Sequence, residues 1–499
     1  MVIKDLITEL DCELLGSPEA EVTGISYDSR KVEGGSLFAA IPGEHVDGHA
    51  FIKNAVDAGA TVVLAARRSD VTVPQIIVKD IRAALSKISD AFYGSPSKRM
   101  TVVGVTGTNG KTTTAYLLES VFKEAGVIPG VIGTVNYRYN GKVFDAPNTT
   151  PQAPDLHRIL KEMADSGVTH CAIEVSSHSL EQKRVADCAF SAGVFTNLTH
   201  DHLDYHKTME EYFRCKSKLF KMLRDSAGIS VINTDDEWGR VLKRDYPASI
   251  TYSLKKGADV HPLEYSLLDG ATEALVVTPA GLVEVSSHLA GEYNLQNILA
   301  AVSVAYGLGI SPSDIGKGVN SLARVPGRLE KIEANGRKNF RAYVDYAHTG
   351  DALERALAAL RRISSGRIIT VFGCGGNRDR LKRPKMGEVS ARLSNISIIT
   401  SDNPRDEDPL EIIKEVEAGM KGVKRRSPED TAVDNGYFVI PERTEAIRKA
   451  VAIAGDGDTI LVAGKGHEDY QIVKGRKSHF NDFEELNAAI KEFCRADAV

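Results

Sequence analysis

Thr106-Gly107-Thr108-Asn109-Gly110-Lys111-Thr112-Thr113 follows the β-branched run 100–105 and precedes a segment with Leu117, Leu118, Val121, Phe122 and Ala125 on one helical face. A glycine-rich turn between a strand and a helix is where a phosphate-binding loop sits. Its backbone N–H groups converge on phosphate oxygens, and the helix N-terminus adds positive potential. Lys111 supplies a mobile cation for the outer phosphates and Thr112 a hydroxyl for Mg²⁺. The strict G-x₄-G-K-[ST] pattern fails, because Val105 holds the first glycine position.

Outward from this loop, the chain alternates apolar β-type runs with helical patterns. Strands are expected over 62–65, 76–78, 170–175, 192–195, 230–232, 342–344, 368–372, 396–400 and 459–462. Helices are expected over 50–58, 81–92, 294–308, 352–362, 409–420 and 442–454. Such alternation predicts an α/β protein with a mainly parallel, doubly wound sheet. Gly94-Ser95-Pro96-Ser97 and Arg324-Val325-Pro326-Gly327-Arg328 have linker composition. They divide the chain into 1–97, 98–325 and 326–499, a central P-loop domain flanked by a smaller N-terminal domain and a second, Rossmann-like α/β unit. The length of 499 residues agrees with roughly three domains at about 150 residues each.

Composition sets bounds on function. Lys plus Arg is 62 and Asp plus Glu is 67, a net charge of −5, which argues against a nucleic-acid-coating protein. The longest nearly apolar run, 298–310, is too short for a bilayer span of ~20 residues. Asp5, Glu9, Asp11 and Glu13 stand where a signal peptide would need an apolar stretch. The six cysteines (12, 171, 188, 215, 374 and 494) have no CxxC spacing and predict free thiols in a reducing cytoplasm.

Two further clusters carry chemistry. Glu174 ends the strand expected at 170–175, where side chains line the ligand crevice of an open sheet, and Ser176-Ser177-His178 follows it. It is a candidate Mg²⁺ ligand, or else a solvent-facing acid. Thr196-Asn197-Leu198-Thr199-His200-Asp201-His202-Leu203-Asp204-Tyr205-His206 packs three histidines and two aspartates into seven residues, 200–206. Metal binding is the favoured reading, although Mg²⁺ normally takes oxygen ligands.

TGTNGKTT, EVSSH and TNLTHDHLDYH in this order resemble the Mur ligase family of peptidoglycan precursor synthesis. Tyr293-Asn294-Leu295-Gln296-Asn297, Pro326-Gly327-Arg328-Leu329-Glu330 and Val344-Asp345-Tyr346-Ala347-His348 extend the resemblance over nearly the whole chain. It implies that Gly107, Thr108, Asn109, Gly110, Lys111, Thr112 and Thr113 hold ATP phosphates. It implies further that Asn294, Asn297, Arg328 and Asp345 contact the nucleotide. Thr112 and Glu174 would bind one Mg²⁺, and Glu174 with His202 a second. Lys216 matches the lysine carried in the family as a carbamate (N6-carboxylysine), with Lys111, Lys216 and His202 as the catalytic set. A solvated helical face is the other reading of Lys216 and Lys218.

The resemblance assigns Ser29, Glu44, His45 and Val46 to the uridine end of a UDP-N-acetylmuramoyl-L-alanyl-D-glutamate substrate. Asn148, Thr149, Thr150, Ser176, Gln182 and Arg184 would grip its muramoyl-dipeptide, Arg184 as a bidentate carboxylate clamp. Asp402-Asn403-Pro404-Arg405 looks like the signature of members that add meso-diaminopimelate. The far carboxylate of that amino acid suits a guanidinium, whereas the ammonium of lysine would be repelled. Arg378, Gly464 and Glu468 would complete this pocket. A surface ion pair of Arg405 with Asp406 or Asp408 is the alternative. The expected activity is an ATP- and Mg²⁺-dependent amide ligase, cytoplasmic and monomeric, with no nucleic-acid partner and no membrane insertion. The same ligation with L-lysine, a folylpolyglutamate-synthase-like ligase and a P-loop NTPase switch are the competing readings. His348 is a candidate for the base that deprotonates the amine.

Overall fold

The computed structural model describes residues 1–43, 46–225, 227–268, 270–332 and 339–494, with the side chains of 224, 225 and 494 left aside. Three α/β sheets follow one another along the chain.

The N-terminal sheet has the order Glu13–Leu15, Gln75–Ile77, Val62–Ala65, Ser36–Ala39, Gly24–Ser26, parallel except for its first strand. The amphipathic helix Ile81–Phe92 packs on it through Ile81, Ala84, Leu85 and Ile88.

The central sheet has eight strands, in the order Ile250–Tyr252, Ile229–Asn233, Ala192–Phe195, Thr101–Thr106, His170–Glu174, Pro129–Ile132, Tyr137–Tyr139, Lys142–Phe144. The first six are parallel and the last two antiparallel. Thr101–Thr106 is a middle strand, buried along nearly its whole length, as a parallel strand covered on both faces must be. The helices Lys111–Glu124 and Glu292–Gly307 share one core on one face, with Leu117, Leu118, Val121, Ile298 and Val302 fully buried. The helix Met209–Asp225 contributes Leu219, Phe220 and Leu223 to the core on the other face.

The C-terminal sheet runs Glu330–Ile332, Arg341–Asp345, Thr459–Ala463, Ile368–Phe372, Ile396–Ile399, Gly436–Val439, parallel after its first strand. A hairpin, Tyr470–Val473 with Arg476–His479, projects beyond it.

The structure differs from the sequence reading in several places. The helix expected over 50–58 divides into a 3₁₀ turn, Gly48–Phe51, and a short α-helix, Ile52–Asp57; Asp47 caps the turn by accepting the His49 amide. The helix expected to reach 420 ends at Glu417. The meander His261–Leu268, Ala271–Thr278, Gly281–Ser287 was not foreseen, because its outer face mixes exposed apolar and polar residues and blurs the alternation. The edge hairpin 137–144 turns at Asn140-Gly141, both at positive φ, an available signal that went unread. The five described cysteines are free thiols, and Cys494 lies outside the described side chains. No helix among the described residues is long and apolar enough to cross a membrane.

Candidate active site

The loop after Thr101–Thr106 needs glycine at two positions for steric reasons. Gly107 has φ +147°, and a Cβ there would stand 1.9 Å from Thr196 Oγ1. Gly110 has φ +89° and precedes the helix Lys111–Glu124; a Cβ there would stand 2.3 Å from Asn297 Oδ1. The loop backbone therefore packs directly against the Thr196 side chain after the strand Ala192–Phe195 and the Asn297 side chain of the helix Glu292–Gly307. Lys111 Nζ folds back onto the loop and donates to Gly107 O at 3.0 Å and Thr108 O at 2.9 Å. Burial holds its pKa below the ordinary lysine value.

Glu174, 1% exposed, ends the adjacent strand. Its Oε2 accepts from Thr112 Oγ1 at 3.0 Å and Thr134 Oγ1 at 2.8 Å, and its Oε1 from the Thr134 amide at 2.9 Å. Arg328 Nη2 donates to the same Thr112 hydroxyl at 3.1 Å. Thr112 and Glu174 thus place hard oxygen donors together at the mouth of the loop, a donor set that fits Mg²⁺.

Lys216, 1% exposed, sits on the inward face of Met209–Asp225, so the solvated-face alternative fails for it. Lys218, by contrast, is half-exposed and pairs with Glu181. Lys216 Nζ donates to Gly107 O at 2.8 Å and lies 4.5 Å from the centre of the Tyr212 ring. Burial, reinforced by Lys111, holds its pKa well below the lysine value, favouring the neutral amine.

The histidines of the loop 200–206 take different partners. Among the described residues no three His, Cys, Asp or Glu side chains gather as a metal-ligand set. His206 shares a hydrogen bond with Ser177 Oγ at 2.9 Å and stacks on Tyr212 with centroids 5.0 Å apart, so packing accounts for it. Asp201 accepts from the His202 amide and faces its ring at 3.4 Å. His202, at φ +54°, stands edge-on to His178, 4.9 Å away. Burial lowers the pKa of His202 to about 4, so its imidazole is neutral near pH 7.

Five of the six residues expected to grip the dipeptide, all but Asn148, form one connected network. Thr150 Oγ1 donates to the Glu174 carbonyl oxygen at 2.7 Å and lies 3.3 Å from Ser176 Oγ. Thr149 Oγ1 is 3.1 Å from Thr134 Oγ1, and the Asn148 carbonyl accepts from Tyr137 Oη at 2.5 Å. Arg184 donates to Thr150 O at 2.8 Å and to Gln182 Oε1 at 2.7 Å, and Gln182 Oε1 also accepts from Arg82 of the N-terminal region at 3.4 Å. Ser29 opens the 3₁₀ turn Ser29–Lys31 and Val46 is exposed; no described hydrogen bond ties either to this network. Glu44 and His45 lie outside the described residues. Tyr27, two residues before Ser29, reaches the central domain instead, donating to Asp155 at 2.5 Å.

Asn294, Asn297, Arg328 and Asp345 surround the far side of the loop. Asn297 Nδ2 donates to Asn294 Oδ1 at 3.3 Å. Asp345, its pKa raised by burial, accepts the amides of Leu329 and Ala347 at 2.7 and 2.8 Å and shapes the turns on either side of Arg328 and Tyr346. Arg328 stacks over Tyr346 at 4.6 Å. His348 donates from Nδ1 to Tyr346 O at 2.9 Å, and burial lowers its pKa to about 4.

The C-terminal pocket is held by backbone contacts. Arg405 has φ +54°; its amide donates to Ile472 O at 3.0 Å and its Nη1 to Gly376 O at 2.7 Å. Neither Asp406 nor Asp408 pairs with it: Asp408 caps the helix Pro409–Glu417. Asn403 Nδ2 donates to Glu468 Oε2 at 2.8 Å, and Gly464 lies against Asp402. Pro404 lies between these two anchors. Arg378 is exposed and makes no described hydrogen bond.

Sequence reasoning missed Thr134, Asp351 and Lys465. Asp351, at the start of the helix Gly350–Ile363, accepts from Asn109 Nδ2 at 2.9 Å and Thr199 Oγ1 at 3.1 Å, joining the phosphate loop to the C-terminal domain. No local pattern marks a helix-start aspartate as such a link. Lys465 lies between Gly464 and Glu468, both assigned to the pocket, but nothing local gave it a role of its own.

Family models described as Mur ligase family, catalytic domain, Mur ligase middle domain, and Mur ligase, glutamate ligase domain match residues 21–93, 105–305 and 327–466. The chain is 45% identical over 506 residues to the UDP-N-acetylmuramoyl-L-alanyl-D-glutamate–2,6-diaminopimelate ligase of Geobacter metallireducens, covering 99% of both chains. It is 41% identical over 483 residues to the ligase of the same name from Geobacillus thermodenitrificans, covering 96% of both. A solved UDP-N-acetylmuramoyl-L-alanyl-D-glutamate–2,6-diaminopimelate ligase superposes with a TM-score of 0.68 at 31% identity over 99% of each chain. The MurF ligase of Thermotoga maritima in complex with ADP shares the fold, with a TM-score of 0.64 at 19% identity over 94% of this chain and 97% of that one.

Proposed function

This chain belongs to the Mur ligase family, and from that premise we propose that it joins meso-diaminopimelate to the D-Glu side-chain carboxylate of UDP-N-acetylmuramoyl-L-alanyl-D-glutamate at the expense of ATP. In this reading residues 1–97 receive the UDP end, 98–325 the ATP and the dipeptide, and 326–499 the amino acid. The carrying observation is the double use of Glu174. Its side chain accepts from Thr112 of the phosphate loop, while its backbone carbonyl accepts from Thr150 of the dipeptide network. One strand end thereby sets the spacing between the γ-phosphate and the carboxylate that attacks it.

The carboxylate takes the γ-phosphoryl group, giving an acyl phosphate and ADP. The neutral amine of the amino acid then attacks the acyl carbon and phosphate leaves. Lys111 positions its ammonium beside the loop carbonyls, and Arg328 adds a second positive charge at Thr112. These fixed charges offset the charge that spreads over the moving phosphoryl group. Arg184 orients the substrate carboxylate. Thr112 and Glu174 would hold one Mg²⁺, and Glu174, His202 and a carbamylated Lys216 a second. When bound, the ions supply further positive charge at the phosphates. Arg405 reads the far carboxylate of diaminopimelate and Glu468 its ammonium. His348 is neutral with Nδ1 engaged, which leaves Nε2 free to take the amine proton.

The test follows phosphate release and product mass with purified protein, ATP, Mg²⁺ and UDP-N-acetylmuramoyl-L-alanyl-D-glutamate, with meso-diaminopimelate and L-lysine in parallel. Tripeptide with diaminopimelate alone is expected. Product mainly with lysine would overturn the pocket assignment, and phosphate release with neither amine would overturn the ligase reading.

A further inference from the structure

Lys465 follows the strand Thr459–Ala463 and is fully buried. Its Nζ lies 3.3 Å from Asn403 Oδ1, 3.3 Å from Glu468 Oε2 and 3.6 Å from Asp402 Oδ1. Its ammonium donates to Asn403 and Glu468, and its approach to Asp402 is an ion pair rather than a hydrogen bond. Asn403 is locked by the same arrangement. Its Oδ1 accepts from Lys465 and from the Ile472 amide at 2.9 Å, which leaves Nδ2 no orientation but toward Glu468.

A buried ammonium is retained where its neighbours need it. Here two carboxylates, Asp402 and Glu468, share the recess. Arg443 stands behind them in its own bidentate pair with Asp482, at 2.7 Å for both contacts. With that pair balanced, Lys465 cancels one of the two remaining negative charges. The recess keeps one surplus carboxylate, the charge needed for one incoming ammonium.

We infer that Lys465 is a positioning residue of the amine-acceptor pocket: it pins the Asn403 amide and keeps Glu468 ionised and aimed at the ammonium of the acceptor amino acid, without itself touching substrate or nucleotide. The inference rests on the proposed ligase activity and deepens it, since it concerns how that pocket selects a zwitterion. Glu468 is otherwise under pressure to protonate. Burial and Asp402 raise its pKa, while Lys465 and Asn403 oppose them. The other charged and titratable groups facing this recess are Arg443 and Asp482 on the helices behind it, Tyr346 on the loop after Arg341–Asp345, and Tyr470 and Arg405 at the hairpin.

The experiment uses the full-length enzyme and compares wild type, K465M, E468Q and K465M/E468Q. Loss of a charge-assisted contact in K465M should raise KM for diaminopimelate about 10- to 100-fold. KM for ATP and for the UDP substrate should stay unchanged. The acid limb of kcat/KM for diaminopimelate should move to higher pH in K465M, because a Glu468 without its cation protonates sooner on acidification. In the E468Q background the Lys465 substitution should add little, since the two act through one contact. Additive effects, equal increases in all three KM values, or an unmoved acid limb would overturn the inference. If K465M is insoluble, K465R serves: it keeps the charge, so it should lose affinity and leave the acid limb in place, and a moved limb would count against the inference. Should wild type make no product with any amine, the ligase reading fails by itself. Calorimetric titration with diaminopimelate then decides the Lys465 effect separately: weaker binding by K465M supports it, and unchanged binding overturns it.

Discussion

Lys111 and Lys216 donate to one and the same acceptor, the carbonyl oxygen of Gly107, from 3.0 and 2.8 Å. Two ammonium groups this close repel each other, and the more buried one, Lys216, has its pKa pushed well down by burial and by Lys111. A neutral buried amine is the form that captures CO₂, and the resulting carbamate would turn a repulsive pair into an attractive one. With ¹³C-bicarbonate, a carbamate resonance is expected in wild type and absent in K216M. Turnover in K216M should fall by about 10²- to 10³-fold, the scale seen when a preorganised electrostatic contact is lost. A wild-type spectrum without the resonance would refute the modification.

The contact of Gly110 with Asn297 predicts a specific defect. G110A places a methyl 2.3 Å from Asn297 Oδ1 at a φ of +89°. The left-handed backbone alone costs roughly 1–2 kcal/mol for a non-glycine residue. If the free loop relaxes out of the binding geometry to relieve this strain, ATP affinity should fall roughly 5- to 30-fold. Titration with a fluorescent nucleotide checks this, and near-normal binding would show that the loop yields more easily than its packing implies.

Arg405 is held by its own backbone and by Gly376 rather than by an acid, so its guanidinium is not neutralised by a described carboxylate. R405A should raise KM for diaminopimelate about 10- to 100-fold by removing a charge-assisted contact. The variant should use L-lysine no worse than wild type does. Equal losses with both amines would argue for a scaffolding role instead.

Acidification should loosen the core of the site. His202, His206 and His348 have folded-state pKa values lowered to about 4 from an ordinary 6.5, each chiefly by burial. The unfolded chain therefore binds more protons between those values. The stability contributed by the neutral rings is complete above pH 6.5 and is lost as the pH falls toward 4. Thermal unfolding followed at pH 7.5 and pH 5 should show a clear drop in Tm, smaller in H206F. A Tm independent of pH over this range would contradict the burial argument.

Much of this site was legible because local rules wrote it. The glycines, lysine and threonine of the phosphate loop lie between a strand and a helix, and the periodicity of 111–124 located that helix. Glu174 was found by its place at a strand end. In the histidine-rich loop composition did not report direction: His206 turns to Ser177 and Tyr212, while His202 faces Asp201. The meander over 261–287 escaped because its strands are paired with one another and half exposed, which weakens a period-two signal.

By itself, the sequence determined the parallel α/β architecture, the phosphate loop and the order of the motifs. These depend on hydrophobic period, turn residues and backbone freedom, all properties of neighbours along the chain. Only the tertiary structure decided that Lys216 is buried against Gly107 while Lys218, two residues on, is half-exposed and paired with Glu181. It also decided that Asp351 meets Asn109 across 242 residues, and that Lys465 lies between Asn403 and Glu468. Burial, charge and partner at these positions come from chain segments far apart in sequence, and packing alone brings those segments together.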